Sequence, residues 1–192
     1  MDALAQKPNT KRPVIVRVAT SLFAQRGIDG TSMRDIAEAA GVREAAIYRH
    51  FAGKDDLASE IFLSWYGWYC DKLQRIVNGP GGTLDKLDEI VRHEFSAVTD
   101  HSEAFVYFCE NETRFVRNLP AEIVSARRVF TTFIKAGQAA GDVRAGRPDL
   151  LADMLSGALC AVALTWLRTG RKKRLSAQVG EVVQGCWCMI KA

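Results

Sequence analysis

Proline is scarce in this chain, at 5 in 192 residues, and there are only 15 glycines; this excludes a linker-rich or collagen-like protein. Neither charge sign dominates, with 26 Lys and Arg against 22 Asp and Glu, so the overall charge names no partner. The cysteines, Cys70, Cys109, Cys160, Cys186 and Cys188, are odd in number and lack any C-x-x-C spacing. That excludes a disulfide scaffold and a zinc ribbon and suits free thiols in a reducing compartment. Residues 1–11 lack the apolar stretch of a signal peptide, which points to the cytoplasm. One long apolar run exists, Leu150 to Leu167, but Asp153 interrupts it and a basic stretch follows at residues 170–174. It reads as a helix buried between helices, not as a membrane span. Catalytic signatures are missing too: there is no P-loop, no G-x-G-x-x-G, and only three histidines, His50, His93 and His101. No enzyme, metal site or cofactor is expected.

What is present is helical periodicity. Pro13 suits a first helical turn, and Ile15, Val18, Ala19, Leu22 and Phe23 repeat as one stripe up to Gly27. Thr31 and Ser32 offer cap oxygens, with Asp35 in capping-box spacing from Ser32, for a short helix ending at Gly41. A third helix is expected from about Arg43 to His50, and a long fourth from Lys54 to about Ile76. Helices this short need tertiary packing to exist. Two of them joined by a glycine turn make a helix-turn-helix unit, and its outer residues could enter a major groove about 12 Å wide. Charge agrees: from Lys7 to Lys54 nine basic residues face four acidic ones, an excess of five where the whole chain carries +4.

The residues from Thr31 to Val42, then Ala46-Ile47-Tyr48-Arg49-His50-Phe51 and Gly53-Lys54-Asp55-Asp56-Leu57, resemble the TetR/AcrR family of transcriptional regulators over about 50 residues. Two positions depart from the family pattern. Arg43 stands where a small hydroxyl residue usually caps the recognition helix, and Ala45 where glycine is frequent, so operator preference does not carry over. The resemblance implies a DNA-binding unit over residues 1–53 and a larger helical ligand-binding and dimerisation domain over 54–192. It also implies phosphate held at Thr31 or Ser32, backbone contacts from Tyr48, His50 and Lys54, and base contacts from Arg43, Glu44, Ala45 and Arg49. Arg34 could do either, and Lys7, Lys11 and Arg12 could reach the minor groove.

Beyond residue 54 the periodicity continues without strand alternation or repeats, so the fold class is all-α. Thr83 is expected to cap one helix, a short one runs from Ser102 to Cys109, and others begin at Pro120, Pro148 and Leu175. The helix from Asp149 to Thr169 is apolar around most of its circumference and must be covered on more than one side. Leu151, Leu155, Leu159, Val162 and Trp166, with Val179, Val183 and Trp187, are the candidates for a two-fold four-helix interface. A homodimer would place two reading helices on an inverted-repeat operator. Trp65, Trp68, Tyr69, Phe95, Tyr107, Phe108, Phe133 and Trp166, with Glu110 and Asn111 as polar partners, are the candidate pocket for a small hydrophobic effector. The family's usual arrangement is repression relieved by ligand. The alternative is a constitutive regulator, or one that senses thiol oxidation or metal through Cys109, Cys160, Cys186 or Cys188.

Overall fold

The computed structural model describes residues 11–170 and 174–192; Lys7 and residues 171–173 lie outside this range. Nine α-helices are present among the described residues: α1 (Lys11–Arg26), α2 (Met33–Ala39), α3 (Glu44–Tyr48), α4 (Lys54–Asn78), α5 (Thr83–Asp100), α6 (Ser102–Phe115), α7 (Ala126–Ala140), α8 (Pro148–Arg168) and α9 (Val179–Ile190). The one β-type pairing is an isolated bridge between Val143 and Lys191.

The first three helices fold around Ile15, Ala19, Phe23, Ile36, Ala37, Ile47 and Phe51, all buried. Gly27 ends α1 in the left-handed region, φ 71°, where a side chain would be strained. The capping box forms: Ser32 Oγ accepts from the Asp35 amide at 3.1 Å, and Asp35 Oδ2 accepts from the Ser32 amide at 2.8 Å. The third helix is shorter than its periodicity suggests, five residues instead of eight, and Arg43 at its N-cap makes no side-chain bond there. Asp56 closes the turn into α4 by accepting from the Ala52 amide at 2.8 Å. Leu57, Ala58 and Ile61 of α4 join the core of the first three helices. The long helix therefore belongs to both halves of the chain.

Four helix boundaries differ from expectation. Thr83 does not cap α5; its hydroxyl donates to Asp142 at 2.7 Å, and Asp85 accepts from the Gly82 amide in its place. No helix starts at Pro120. Residues 119–125 are a loop with one turn at 121–122, and α7 begins after Ser125, whose hydroxyl accepts from the Arg128 amide. Ser125 is a better cap than any residue at the proline, and Tyr66 supports it by accepting from the Ala126 amide at 2.9 Å. The last helix opens with a 3-10 turn at Leu175–Gln178 before α9. Helix α6 also runs on to Phe115, beyond the expected Cys109.

In the second half, α8 packs mainly on α7, and α9 on α5. The inner stripe of α8 is Leu151, Ala152, Leu155, Leu159 and Ala163. By length and composition α8 could cross a membrane, but those buried positions repeat every three or four residues against α7 and α9, as in a core helix.

Candidate DNA-reading surface, effector cavity and outer helix face

Folding α2 and α3 around Ile36, Ala37, Ala46 and Ile47 leaves Arg34, Arg43, Glu44, Ala45, Tyr48 and Arg49 exposed on one side. Tyr48 is 51% exposed. Together with Ser32, Arg34, Glu44 and Lys54 it borders a groove of about 430 Å³ along the start of α2. His50 is half-buried with its ring edge toward Phe51, and Lys54 opens α4.

Two expected phosphate contacts need correction. The Thr31 hydroxyl is buried and donates to the Gly27 carbonyl at 2.9 Å, so it holds the end of α1 instead of facing the groove. The Ser32 hydroxyl is taken by Asp35, to which it also donates at 2.6 Å. Of the expected phosphate donors the backbone is left: the Met33 and Arg34 amides have no intrahelical acceptor, while the Asp35 amide is taken by Ser32. Asp35 is held below the usual carboxylate range, first by its side-chain bond to Ser32 and then by the Ser32 amide. Arg12 also has another use. It pairs with Glu60 and lies over the Phe51 ring at 5.5 Å, tying α1 to α4.

The aromatic residues divide among four places. Tyr107 and Phe133 are fully buried core. Phe95 and Trp166 border an outer hollow beside Arg174 and Leu175. Trp65 and Trp68 line a groove with Arg12, Glu60 and His101. Only Tyr69 and Phe108, of the expected set, reach an inner cavity of about 430 Å³, which Phe105, Phe130 and Leu164 complete with Glu94, Cys109, Glu112, Arg127, Asp153 and Cys160. Glu110 and Asn111 do not line it; Asn111 donates to the Tyr107 carbonyl.

Glu94, absent from the expected lining, lies on the buried face of α5 between His93 and Phe95. It is 4% exposed, and its Oε2 accepts a hydrogen bond from the Tyr69 hydroxyl at 2.5 Å. Burial pushes its carboxyl up to about 7 against the opposing pull of Tyr69. Burial also raises Glu112 and, with Glu94, the Tyr69 phenol. His93 is pulled below its usual value by burial, and its Nε2 lies 3.1 Å from the Tyr69 carbonyl. Arg127 is committed to Asp153, at 2.7 and 2.8 Å. The Sγ atoms of Cys109 and Cys160 are 3.9 Å apart across the cavity wall.

One helix joins this cavity to the reading surface. Phe105, Phe108, Cys109 and Glu112 of α6 face the cavity. The same helix sends Tyr107 to stack on Phe23, centroids 5.7 Å apart, and to donate to the Ala58 carbonyl at 2.7 Å. Its Glu103 accepts from Ser21, and its Arg114 reaches Asp55 at 2.8 Å and Asp29 at 3.9 Å.

The residues expected at a dimer interface mostly face inward. Leu151, Leu155, Leu159, Val179 and Val183 are buried within the chain itself, and Val162, Trp166 and Trp187 are half-buried. A nearly all-apolar helix offers no sequence signal for which side packs at home. The outward stripe of α8 is Leu150, Met154, Ala158, Ala161 and Thr165, beside Gly180, Gln184, Gly185 and Cys188 of α9. Leu150 is 52% and Met154 41% exposed.

Comparison with known proteins gives this arrangement a family. Residues 15–61 match the family described as bacterial regulatory proteins, tetR family. The HTH-type transcriptional repressor KstR2 of Mycolicibacterium smegmatis is 28% identical over 155 residues, 78% of this chain and 74% of that protein. The ketosteroid transcriptional regulator KstR2 of Mycobacterium tuberculosis superposes with a TM-score of 0.80 over 97% of both chains, at 21% identity. The transcriptional regulator FadR of Bacillus subtilis, solved with stearoyl-CoA, does so with a TM-score of 0.76 over 94% of this chain and all of that one, at 18% identity. Residues 15–61 thus carry the helix-turn-helix unit of the tetR family of bacterial regulatory proteins at the head of an all-helical body, and the relatives this chain resembles are transcription regulators.

Proposed function

We propose that this protein is a homodimeric, cytoplasmic repressor that binds an inverted-repeat operator and is released by a small hydrophobic ligand in the cavity around Glu94. The reading unit takes residues 1–53 and the ligand-binding and dimerisation body residues 54–192. The observation behind it is the double role of α6, whose one side lines the cavity while the other grips α1, the α1–α2 turn and the start of α4. A ligand that prefers a displaced α6 favours a dimer whose reading helices are wrongly spaced. Converting mostly bound to mostly released takes about 5 kcal/mol of differential affinity, within reach of a buried apolar ligand. The related FadR solved with stearoyl-CoA and the ketosteroid regulator KstR2 support a hydrophobic effector. The outward stripe of α8 and α9 is the apolar surface a self-complementary partner would cover.

On the reading surface, Arg43, Glu44, Ala45 and Arg49 approach base edges, and Tyr48, His50 and Lys54 hold phosphates with the first-turn amides of α2. The test is binding to the protein's own upstream DNA across a salt series. Tight binding to one fragment, a steep salt slope, and losses in Tyr48→Ala, Arg49→Ala and Lys54→Ala are expected. Weak binding to every fragment, unchanged in the three variants, refutes the reading.

A second reading rests on the Cys109–Cys160 contact. A hydroperoxide could take up both thiol hydrogens, leaving a disulfide and releasing an alcohol and water; the bridge would draw α6 toward α8. Loss of two titratable thiols together with operator release, both absent in Cys109→Ser, would favour it.

A further inference from the structure

The charges lining the cavity do not balance. Arg127 on α7 is the one cationic side chain there, and Asp153 of α8 occupies it with two bonds, while Asp149 lies 3.7 Å away. That leaves the carboxyl groups of Glu94 on α5 and Glu112 on α6 with no cation among the described lining residues. The other titratable groups facing them are Tyr69 from α4, Cys109 from α6 and Cys160 from α8, none of them basic, and His93 turns its ring toward Tyr69 and Trp68. Tyr69, Phe105, Phe108 and Phe130 line the same cavity, four rings whose electron-rich faces attract positive charge.

We propose that the effector is a lipophilic organic cation, its charge set against Glu94 and its apolar groups enclosed by Tyr69, Phe105, Phe108 and Phe130. This rests on the reading of the cavity as the effector site. An anion of equal hydrophobicity would set negative charge beside the Glu94 and Glu112 carboxyls with no free cation in the lining to offset it. A cation supplies what the site lacks. In the empty cavity Glu94 avoids the cost of a buried charge by holding a proton, since burial raises its carboxyl to about 7. A cation favours the ionised form, so binding expels that proton. Affinity is therefore full above pH 7 and falls below it, by up to about tenfold per pH unit.

The experiment uses two probes of nearly equal size and shape with opposite charge, tetraphenylphosphonium and tetraphenylborate, neither of which titrates. Binding to the intact protein is read from the fluorescence of Trp65, whose ring stacks on Tyr69 at 5.4 Å. Expected results are tighter binding of the phosphonium, weakening from pH 8 to pH 6, and a loss of about tenfold or more in Glu94→Gln. Glu112→Gln, at a more exposed position, should lose less and stands in should Glu94→Gln fail to fold. Borate or stearoyl-CoA binding as tightly as the phosphonium, or phosphonium binding indifferent to pH and to both variants, overturns the cationic effector. If those ligands still release DNA, the cavity survives as the effector site. If none of the three probes binds, both inferences fall.

Discussion

Replacing Tyr107 by Phe tests whether α6 couples cavity to reading surface. The variant keeps the ring stacked on Phe23 and removes one hydrogen bond, from the buried hydroxyl to the Ala58 carbonyl. Ala58 sits inside α4, so its carbonyl retains the helical amide four residues on and is not orphaned. The loss is then that of one neutral bond, about 0.5–1.5 kcal/mol. At this chain length that lowers Tm by about 1–6 °C. Tyr107→Ala also empties the ring's volume and should cost about 3–5 kcal/mol. Thermal melts separate the two. Operator affinity, measured by anisotropy with and without effector, gives the functional half. Without effector, Tyr107→Phe should bind operator as the wild type does, because the reading surface is untouched. The effector-induced drop should shrink, by at most about fivefold, since a bond worth about 1 kcal/mol can carry no more coupling than that. A variant that binds operator poorly without effector yet responds fully to it would refute the role given to α6.

A buried acid with a raised carboxyl keeps a proton that the unfolded chain gives up, so Glu94 should make the protein less stable as pH rises from about 4.5 to about 7. The difference is on the order of 3 kcal/mol, and Glu94→Gln should remove it, as seen in urea midpoints at pH 5 and pH 8. In Gly137→Ala the new Cβ would sit 2.4 Å from Val143 Cγ2 and 3.0 Å from Thr83 Cγ2. Overpacking of about 1–3 kcal/mol should outweigh the helix-propensity gain of about 1 kcal/mol, and adding Val143→Ala should restore the melting temperature. On the proposed homodimer, Met154→Lys, on the outward stripe of α8, should weaken self-association in sedimentation relative to the wild type, with little change in the secondary-structure signal. Ser32→Ala should cost about 1 kcal/mol through loss of the capping box, read by chemical denaturation.

The helix-turn-helix unit was legible because its signals are local. Glycine stops at Gly27 and Gly41, the Ser32–Asp35 spacing and the stripe through Ile15, Ala19 and Phe23 each act within a turn or two of helix. The cavity was not, because its wall is drawn from five helices and no period links Tyr69 to Glu94 or Cys109 to Cys160. Aromatic content alone marked Trp65, Phe95 and Phe133 as readily as Phe108, and only packing separates core from lining. In the sequence Glu94 is one of several acids along the amphipathic α5. Its position on the apolar face of α5 was readable in principle, and a charged residue on such a face is the signal a stricter helical projection would have caught. On α8 the reverse holds: with apolar residues nearly all round, the outward side emerges only when α7 and α9 are in place.

The five-residue helix α3 is fastened through Ala46 and Ile47, while its neighbours Arg43, Glu44, Ala45 and Arg49 lie outside the core. Text and binding are thus separate, as in a type block: the letters can be exchanged without loosening the frame. Changes at positions 43, 44, 45 and 49 fall among surface substitutions whose usual effect is within about 0.5 kcal/mol. On the base-reading role proposed for these four positions, a duplicated copy of this protein would pass from one operator to another through fully folded intermediates. Divergence of targets at a constant fold follows from how little of this helix is needed to hold it in place.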